Sequence, residues 1–205
     1  MNKTRYSTPF IVALALLVSA CASSPSYQYF VLTSVSQAAT ESSEISVGVS
    51  PVAIPEYLAR NEVVFRRDGN RVQLAGTARW AEPLADGMQR VLALELAAQL
   101  GTQQVSLLPG LSSAPPAYAV KVNVIALDVT VQQAQLTAEW VITRPAEGEL
   151  LDRHTDQLSW PMSAGSPEPE TVARAYSELL SRLSTEIAAK LSELEEAPAQ
   201  PPAGT

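Results

Sequence analysis

Two long segments of the chain carry apolar residues at the spacing of an amphipathic helix. The first segment lies before Gly101 and opens with Glu82 and with Pro83, which suits the first helical position. The second segment spans residues 166–194. The apolar positions are Leu84, Met88, Val91, Leu92, Leu96 and Leu100 in the first, and Val172, Tyr176, Leu179, Leu180, Leu183, Ile187, Leu191 and Leu194 in the second. The pattern predicts two helices, each with one apolar face to bury.

Shorter segments rich in β-branched and aromatic residues predict strands around these helices. The predicted strands are 27–32, 45–52, 62–67, 71–74, 105–108, 118–131, 136–142 and 150–160. Asp-Gly-Asn at 68–70 predicts a hairpin between the third and the fourth. The alternation in 118–131 changes phase after Ile125, which indicates a bulge or a bend. A further hypothesis is that this long strand continues past the core as an exposed edge for a partner.

The order of the elements is strands, helix, strands, helix. Two amphipathic helices need an apolar surface to cover, and a sheet supplies one. We therefore predict a single α+β domain over residues 27–194, with a mixed, largely antiparallel sheet and the two helices packed on it. Residues 195–205, EEAPAQPPAGT, are predicted to be a disordered, proline-rich tail.

The charge of the chain excludes one broad class of partner. The 205 residues carry 14 basic and 21 acidic side chains, which gives a formal net charge of −7. Without residues 1–20, which contain Lys3 and Arg5, 12 basic side chains remain against 21 acidic ones and the charge is −9. An acidic surface with no basic run repels phosphate backbones, so nucleic acid is not expected as a partner.

The N-terminal segment has the pattern of a secretory signal. Residues 1–9 carry Lys3 and Arg5 and no acid, and residues 10–18 are uniformly apolar. A helix of that length spans roughly 14 Å, about half of a ~30 Å hydrocarbon core, so the segment is too short for a stable transmembrane helix. Residues 1–20 are therefore interpreted as a signal peptide.

Cys21 is the only cysteine in the chain and directly follows the small residues Ser19 and Ala20. A single cysteine makes neither an internal disulfide nor a zinc site alone, which leaves a buried residue, a reactive thiol or a modified thiol. Its position resembles the bacterial lipoprotein box, which implies cleavage between Ala20 and Cys21 and lipid on the Cys21 sulfur. Residues 21–26 would then be the lipidated cysteine and a polar tether, and Ala22 in place of aspartate implies sorting to the outer membrane. The alternative is an ordinary signal with an incidental cysteine.

The sequence offers little catalytic chemistry. It contains no phosphate-binding glycine loop, no H-E-x-x-H and no G-x-S-x-G. The only histidine, His154, lies between Asp152 and Asp156, and all three fall on one side of a predicted strand. An acid–base or metal cluster of an envelope hydrolase is one interpretation, and a solvent-facing strand edge is the other. We favour the edge because no nucleophile lies nearby in sequence. No cofactor is expected.

Three stretches together resemble a known family. They are SYQYFVLT at 26–33, VGVSPVAIPEYLAR at 47–60, and RDGNRVQL with RWAEPLADGMQRVLALELAAQL at 67–74 and 79–100. They are similar to the ABC-transport auxiliary lipoproteins, the PqiC family, and the resemblance covers most of residues 26–195. Pro55 and Tyr57 are interpreted as a rigid strand exit with an aromatic plug. Trp80 and Pro83 are interpreted as a helix entry fixed by packing, so neither pair is catalytic in character.

The resemblance implies a function that the residues alone do not show. Members are outer-membrane lipoproteins that work with MCE-domain proteins of the inner membrane in a lipid route that maintains the outer membrane. It also implies homo-oligomers, with a ring as the expected form, and supplies no active site. We therefore expect a non-enzymatic docking adaptor anchored at Cys21 on the periplasmic face of the outer membrane. The alternative is an envelope lipoprotein that regulates a cell-wall synthase or a secretion channel.

Overall fold

The computed structural model describes residues 26–37, 43–68, 70–110, 114–162 and 167–196. The described chain contains eight strands and two helices. They are β1 (Gln28–Phe30), β2 (Val47–Val49), β3 (Glu62–Asp68), β4 (Arg71–Trp80), α1 (Leu84–Leu100), β5 (Val105–Leu107), β6 (Tyr118–Val129), β7 (Gln133–Arg144), β8 (Glu149–Pro161) and α2 (Pro169–Glu196). The predicted α+β class is confirmed.

The strands divide between two mixed sheets, where the sequence suggested one. The small sheet has the order β1-β4-β3, and the large sheet has the order β5-β2-β6-β7-β8. The hairpins β3–β4 and β6–β7–β8 are antiparallel, as predicted. The short strands are the parallel ones: β1 pairs with β4, and β2 pairs with both β5 and β6.

Strand β6 differs from the edge that the sequence suggested. It lies between β2 and β7 in the large sheet, and beyond β2 an isolated bridge joins Ala53 to Asn123. For residues 118–123 the hypothesis of an exposed edge is therefore wrong. Beyond Val124 the strand pairing within the described residues is with β7, and the Leu127 N–H and carbonyl contact the Tyr57 hydroxyl. The predicted irregularity is present, since the pairing with β7 shifts register between Val124 and Ala126. The shift leaves Ile125 exposed while Val124 and Leu127 are buried.

Helix α1 begins and ends within a residue of its predicted limits. Pro83 is the N-cap, with ψ at 130°, so the first helical residue is Leu84 and not Pro83 as predicted. The helix ends at Gly101, which takes the left-handed conformation at φ 62° and donates its N–H to the Ala97 carbonyl. The next residue, Thr102, is buried and donates its hydroxyl to the Ile45 carbonyl at 2.8 Å, which ties the helix end to the start of β2.

Helix α2 is longer at its C-terminus than predicted. It includes Glu195 and Glu196, which the sequence assigned to the tail. The Glu195 carboxylate accepts a hydrogen bond from the Tyr118 hydroxyl at 2.9 Å, which gives this last turn a partner on β6. Residues 197–205 lie outside the described residues.

One apolar core joins both helices to both sheets. Helix α2 packs on α1, on the β7 and β8 strands of the large sheet, and on β1 of the small sheet. Its predicted apolar positions from Val172 to Leu191 are buried, as are the predicted positions Leu84, Met88, Val91, Leu92 and Leu96 of α1. Because both helices lie on the same side of the large sheet, its other face carries the alternate, more polar residues of β6 to β8.

Candidate functional site

The predicted lipidation site lies outside the described residues. Ala20 and Cys21 belong to the N-terminal 25 residues, so cleavage and lipidation stay predictions. The first strand, β1, begins at Gln28, a short distance in sequence from Cys21. Among the helices within the described ranges, none is long and apolar enough to cross a bilayer.

Pro55 and Tyr57 lie in the connection that carries the chain from the large sheet to the small one. The Pro55 carbonyl accepts a hydrogen bond from the Leu58 N–H at 2.9 Å, which closes a turn. The Tyr57 hydroxyl then reaches β6, where it lies 3.4 Å from both the Leu127 carbonyl and Asp128 Oδ1, and accepts from the Leu127 N–H at 3.3 Å. Burial and the neighbouring Asp128 carboxylate raise the pKa of the Tyr57 phenol, so it stays neutral.

The Asp128 carboxylate also connects the two sheets through a charge pair. Arg66 of β3 places its Nη2 atom 3.0 Å from each Asp128 oxygen. Asp128 therefore binds a phenol from the connecting loop and a guanidinium from the small sheet. The geometry agrees with an aromatic plug at a rigid strand exit, because every group of the cluster is used in joining elements.

Trp80 and Pro83 lie where β4 passes into α1. The Trp80 indole is 6% exposed and stacks on the Tyr176 ring of α2, with centroids 5.9 Å apart and planes 22° apart. The backbone N–H of Trp80 donates to the Asn61 carbonyl at 2.7 Å. The Pro83 carbonyl accepts from the N–H groups of Asp86 and Gly87, each at 3.0 Å. This region is therefore a helix entry held by packing and backbone hydrogen bonds.

The same helix entry forms one wall of an open surface pocket of about 350 Å³. Its lining residues are Tyr27, Tyr29, Asn61, Arg79, Trp80, Ala81, Glu82 and Pro83. The Arg79 guanidinium lies 4.8 Å from the centre of the Tyr27 ring and 3.5 Å from the Glu62 carboxylate. Glu82 forms an ion pair with Arg90. The pocket therefore joins the segment next to the predicted anchor with a motif that the sequence singled out.

His154 and its aspartates do lie together, but in structural contacts. His154 Nε2 is 3.0 Å from Asp152 Oδ1, and the Asp156 carboxylate accepts from the Trp140 indole N–H at 2.6 Å. The imidazole stacks on the Trp140 ring at 4.7 Å. Lys190 of α2 lies 3.2 Å from Asp152, so the group faces the helix more than an open strand edge.

The electrostatics of this group suit an ion-paired surface. Partial burial would raise the pKa of Asp152, but the Arg153 N–H, His154 and Lys190 together hold it below its usual range. The adjoining pocket of about 180 Å³ is lined by Trp140, His154, Asp156, Glu186, Ala189, Lys190 and Glu193, none of which is a serine, threonine or cysteine nucleophile. Among the described residues, no cluster of His, Cys, Asp and Glu has the geometry to hold a metal ion.

Sequence reasoning missed one buried charged residue. Glu95 of α1 is fully buried, and its carboxylate is surrounded by hydrogen-bond donors from the loop after β1 and from both helices. The donors are the Ser34 hydroxyl at 2.8 Å, the Val35 N–H at 2.6 Å, the Ser36 N–H at 3.2 Å, the Ser181 hydroxyl at 2.8 Å and the Gln99 amide at 3.3 Å. Glu95 therefore fastens the loop at 34–36 to the helix pair.

The Glu95 carboxylate is held in its charged form without a cation. Burial alone would raise its pKa, but the hydrogen bonds from Ser36, Ser34, Val35 and Ser181 outweigh that effect and lower it. A signal for this was present in the sequence, because Glu95 lies four residues after Val91 and three after Leu92, on the apolar face of the predicted helix. An acidic residue at that position indicates a buried carboxylate whose oxygens accept hydrogen bonds. The donors around Glu95 provide these hydrogen bonds.

Comparison with solved structures supports the fold. A crystal structure of an uncharacterized protein superposes with a TM-score of 0.64 at 20% identity, covering 82% of this chain and 99% of that one. A protein from Xanthomonas campestris superposes with a TM-score of 0.65 at 13% identity, again covering 82% and 99%. At these identities the likeness shows the fold alone. No curated protein matches the chain.

Comparison with family models gives the family. The model described as the ABC-type transport auxiliary lipoprotein component matches residues 30–188, well over half of the chain. The matched range begins at the end of β1 and reaches far into α2, so it includes both sheets, both motifs and the Glu95 cluster. The description is of a transporter component and not of an enzyme class. The chain belongs to the family of ABC-type transport auxiliary lipoprotein components.

Proposed function

We propose that this protein is a non-enzymatic docking subunit of an intermembrane lipid transport system. Cys21 carries lipid and holds the domain on the periplasmic face of the outer membrane. The domain docks an MCE-domain protein of the inner membrane, and the pair helps to maintain the outer membrane. One observation carries the proposal: the match to auxiliary lipoproteins of ABC-type transport extends over residues 30–188, which is nearly the whole described domain.

The geometry supports docking better than chemistry. Two polar groups that the sequence singled out hold elements together: Tyr57 contacts Asp128 of β6, and Asp152 of β8 pairs with Lys190 of α2. The outer face of the large sheet is polar and open, and Glu139 and Arg153 form an ion pair across it at 3.7 Å. The rim of a transient protein interface is polar and accessible to solvent, and the polar, open face of the large sheet shares these properties.

In-cell photo-crosslinking tests the proposal. A photoreactive residue is placed at Ile125, which is exposed on the large sheet, or at Leu94, which is exposed on α1. We expect at least one of these positions to capture an MCE-domain protein, and the Cys21→Ser variant to lose that product because the domain is no longer held at the membrane. Capture of a cell-wall synthase or a secretion component at both positions would contradict the transport assignment. As a control, no crosslinked product is expected without irradiation.

The proposal includes self-association into homo-oligomers, with a ring as the expected form. Sedimentation of the mature chain without its lipid, over a range of concentrations, tests whether the folded domain itself forms oligomers. A species larger than a monomer whose amount rises with concentration is expected. A strict monomer at the highest concentration would contradict an intrinsic ring.

A further inference from the structure

The strand nearest the predicted anchor presents an apolar face to solvent. Residues Tyr27, Tyr29 and Val31 are 48%, 66% and 49% exposed, while the alternate residues Phe30 and Leu32 turn toward the core. The alternation follows from the period of an extended chain, which sends neighbouring side chains to opposite faces. Two tyrosines and a valine grouped in one surface strip need a partner more than scattered apolar residues do.

The groups beside this strip are charged but balanced. Arg79 is the partner of Tyr29 in the β1–β4 register, and its guanidinium lies over the Tyr27 ring. Arg79 pairs with Glu62 at 3.5 Å, and on the far side of the pocket Glu82 pairs with Arg90. A surface in which phenol rings alternate with paired charges suits a zwitterionic headgroup layer, and it does not depend on attraction to anionic lipid.

The length of the tether limits where this face can lie. Only five residues, 22–26, separate Cys21 from Tyr27. Even fully extended, the chain from Cys21 to Tyr27 spans about 20 Å. A domain of this size has a radius of gyration of about 15 Å, which for a compact sphere corresponds to a diameter of about 40 Å. With the acyl chains of Cys21 in the bilayer, Tyr27 therefore stays within about 20 Å of the membrane, and the tether favours the Tyr27 end of the domain as the end nearest to it.

We infer that the strip Tyr27, Tyr29 and Val31, with the adjoining Arg79 pocket, is a membrane-contact face that lies on the phospholipid headgroups of the leaflet to which Cys21 is anchored. Tyrosine suits this position because its ring enters the interface while its hydroxyl stays hydrated. The contact fixes the orientation of the domain, so that the β7–β8 turn at the far end of the large sheet points away from the membrane. The inference rests on the proposed anchoring at Cys21.

The opposite end of the domain is identified by helix α2. Trp80 of the pocket stacks on Tyr176, whereas Glu195 at the other end of the helix accepts from Tyr118 at the start of β6. The 19 residue-to-residue steps from Tyr176 to Glu195 span about 28 Å of helix. The β7–β8 turn, which contains the exposed Ala146, follows the end of β7 that pairs with the start of β6, so it lies at this far end.

Fluorescence quenching in vesicles tests the inference with the full, lipidated protein. Because Cys21 is the only cysteine and its sulfur is occupied by lipid, an added cysteine can be labelled alone. One label is attached at Asn61→Cys, beside the strip, and another at Ala146→Cys. The protein is placed in vesicles of phosphatidylcholine and phosphatidylethanolamine that contain a headgroup nitroxide lipid. We expect quenching at position 61 to exceed quenching at position 146 several-fold.

Two variants make the result specific to the aromatic strip. Tyr27→Ser with Tyr29→Ser, in the Asn61→Cys background, is expected to lower quenching to the level at Ala146→Cys. Leu107→Ser with Leu150→Ser removes two other exposed apolar side chains and is expected to leave quenching at position 61 unchanged. Circular dichroism confirms that each variant is folded. Should the serine pair fail to fold, Tyr29→Ser alone takes its place, because the tether by itself also favours quenching at position 61.

Anchoring and membrane contact are separated by flotation. If the protein floats with the vesicles but positions 61 and 146 are quenched equally, the contact face is wrong and the proposed function stands. If mass spectrometry finds no lipid on Cys21 and the protein does not float, the proposed anchoring fails and the contact face fails with it. Flotation together with selective quenching at position 61 supports both.

Discussion

Replacing Glu95 by alanine removes the acceptor that holds the loop after β1 to the two helices. The donors it would leave are the N–H groups of Val35 and Ser36, the hydroxyls of Ser34 and Ser181, and the Gln99 amide. A buried donor left unsatisfied costs about 1–3 kcal/mol, although a loop that moves outward regains part of this from water. We expect the free energy of unfolding to fall by about 3–5 kcal/mol, because several buried donors lose their common acceptor at once.

Equilibrium unfolding in urea, followed by circular dichroism at neutral pH, measures this loss. Glu186→Ala is the matched control, because it removes an exposed glutamate from α2 with the same gain in helix propensity. The control is expected to change the free energy of unfolding by less than about 0.5 kcal/mol. If Glu95→Ala and Glu186→Ala are equally stable, the carboxylate does not hold the loop and the reasoning about buried donors is refuted.

Three further changes test other parts of the structure. Hydrogen bonds lower the pKa of Glu95 below its ordinary value of 4.5. The stabilisation from the ionised carboxylate is therefore complete above that pH and is lost as the pH falls through the pKa of the folded state. Unfolding measured over a range of pH should show a steeper loss of stability in acid for wild type than for Glu95→Gln. Tyr57→Phe removes the hydroxyl that contacts Asp128 and should lower the free energy of unfolding in urea by about 1 kcal/mol. An unchanged midpoint would contradict a stabilising contact between the connecting loop and β6. Gly48→Ala would place a methyl 2.7 Å from a Leu108 side-chain carbon and should cost about 1–3 kcal/mol, and a variant as stable as wild type would show that this packing gives way freely.

The local sequence pattern predicted well those elements whose formation does not depend on a partner distant in sequence. Helix α1 is predicted by the helical spacing of its apolar residues and by Gly101 at its end, and both signals lie in one short segment of the sequence. The bulge in β6 follows from the phase change after Ile125, because a strand with one buried face must shift register to keep apolar residues inside. The hairpins β3–β4 and β7–β8 likewise depend on neighbours in sequence.

The short parallel strands were predicted as strands at 27–32, 45–52 and 105–108, but their pairing could not be predicted in the same way. Strand β1 has three residues and pairs with β4 about fifty residues later, and β2 is held between β5 and β6. Short segments of this kind are stabilised by a distant partner, and no local preference fixes which sheet they join. The second half of β4 was missed for the same reason, since Ala75, Gly76 and Thr77 have no strand-like pattern of their own.

The residues of the candidate site differ in the same way, because some roles follow from the local sequence and others depend on residues distant in sequence. The packing roles of Tyr57 and Trp80 agree with their sequence context, whereas the contacts of Glu95 are with residues 34–36 and 181, which are about 60 and 86 positions away in sequence. The exposed strip at Tyr27 and Tyr29 was interpreted as strand, and only the structure shows which of its residues face outward. Distance in sequence, more than residue type, separates what was predicted from what was not.

Density separation of crosslinked envelopes tests the central claim, that the domain links an anchor in the outer membrane to an MCE-domain protein of the inner membrane. Cells carrying the photoreactive residue at Ile125 or at Leu94 are irradiated, and the two membranes are separated by density. The account predicts that the MCE-domain protein enters the outer-membrane fraction with wild type and stays in the inner-membrane fraction with Cys21→Ser. An MCE-domain protein that stays in the inner-membrane fraction with both chains, or is missing from the crosslinked product, would contradict the account.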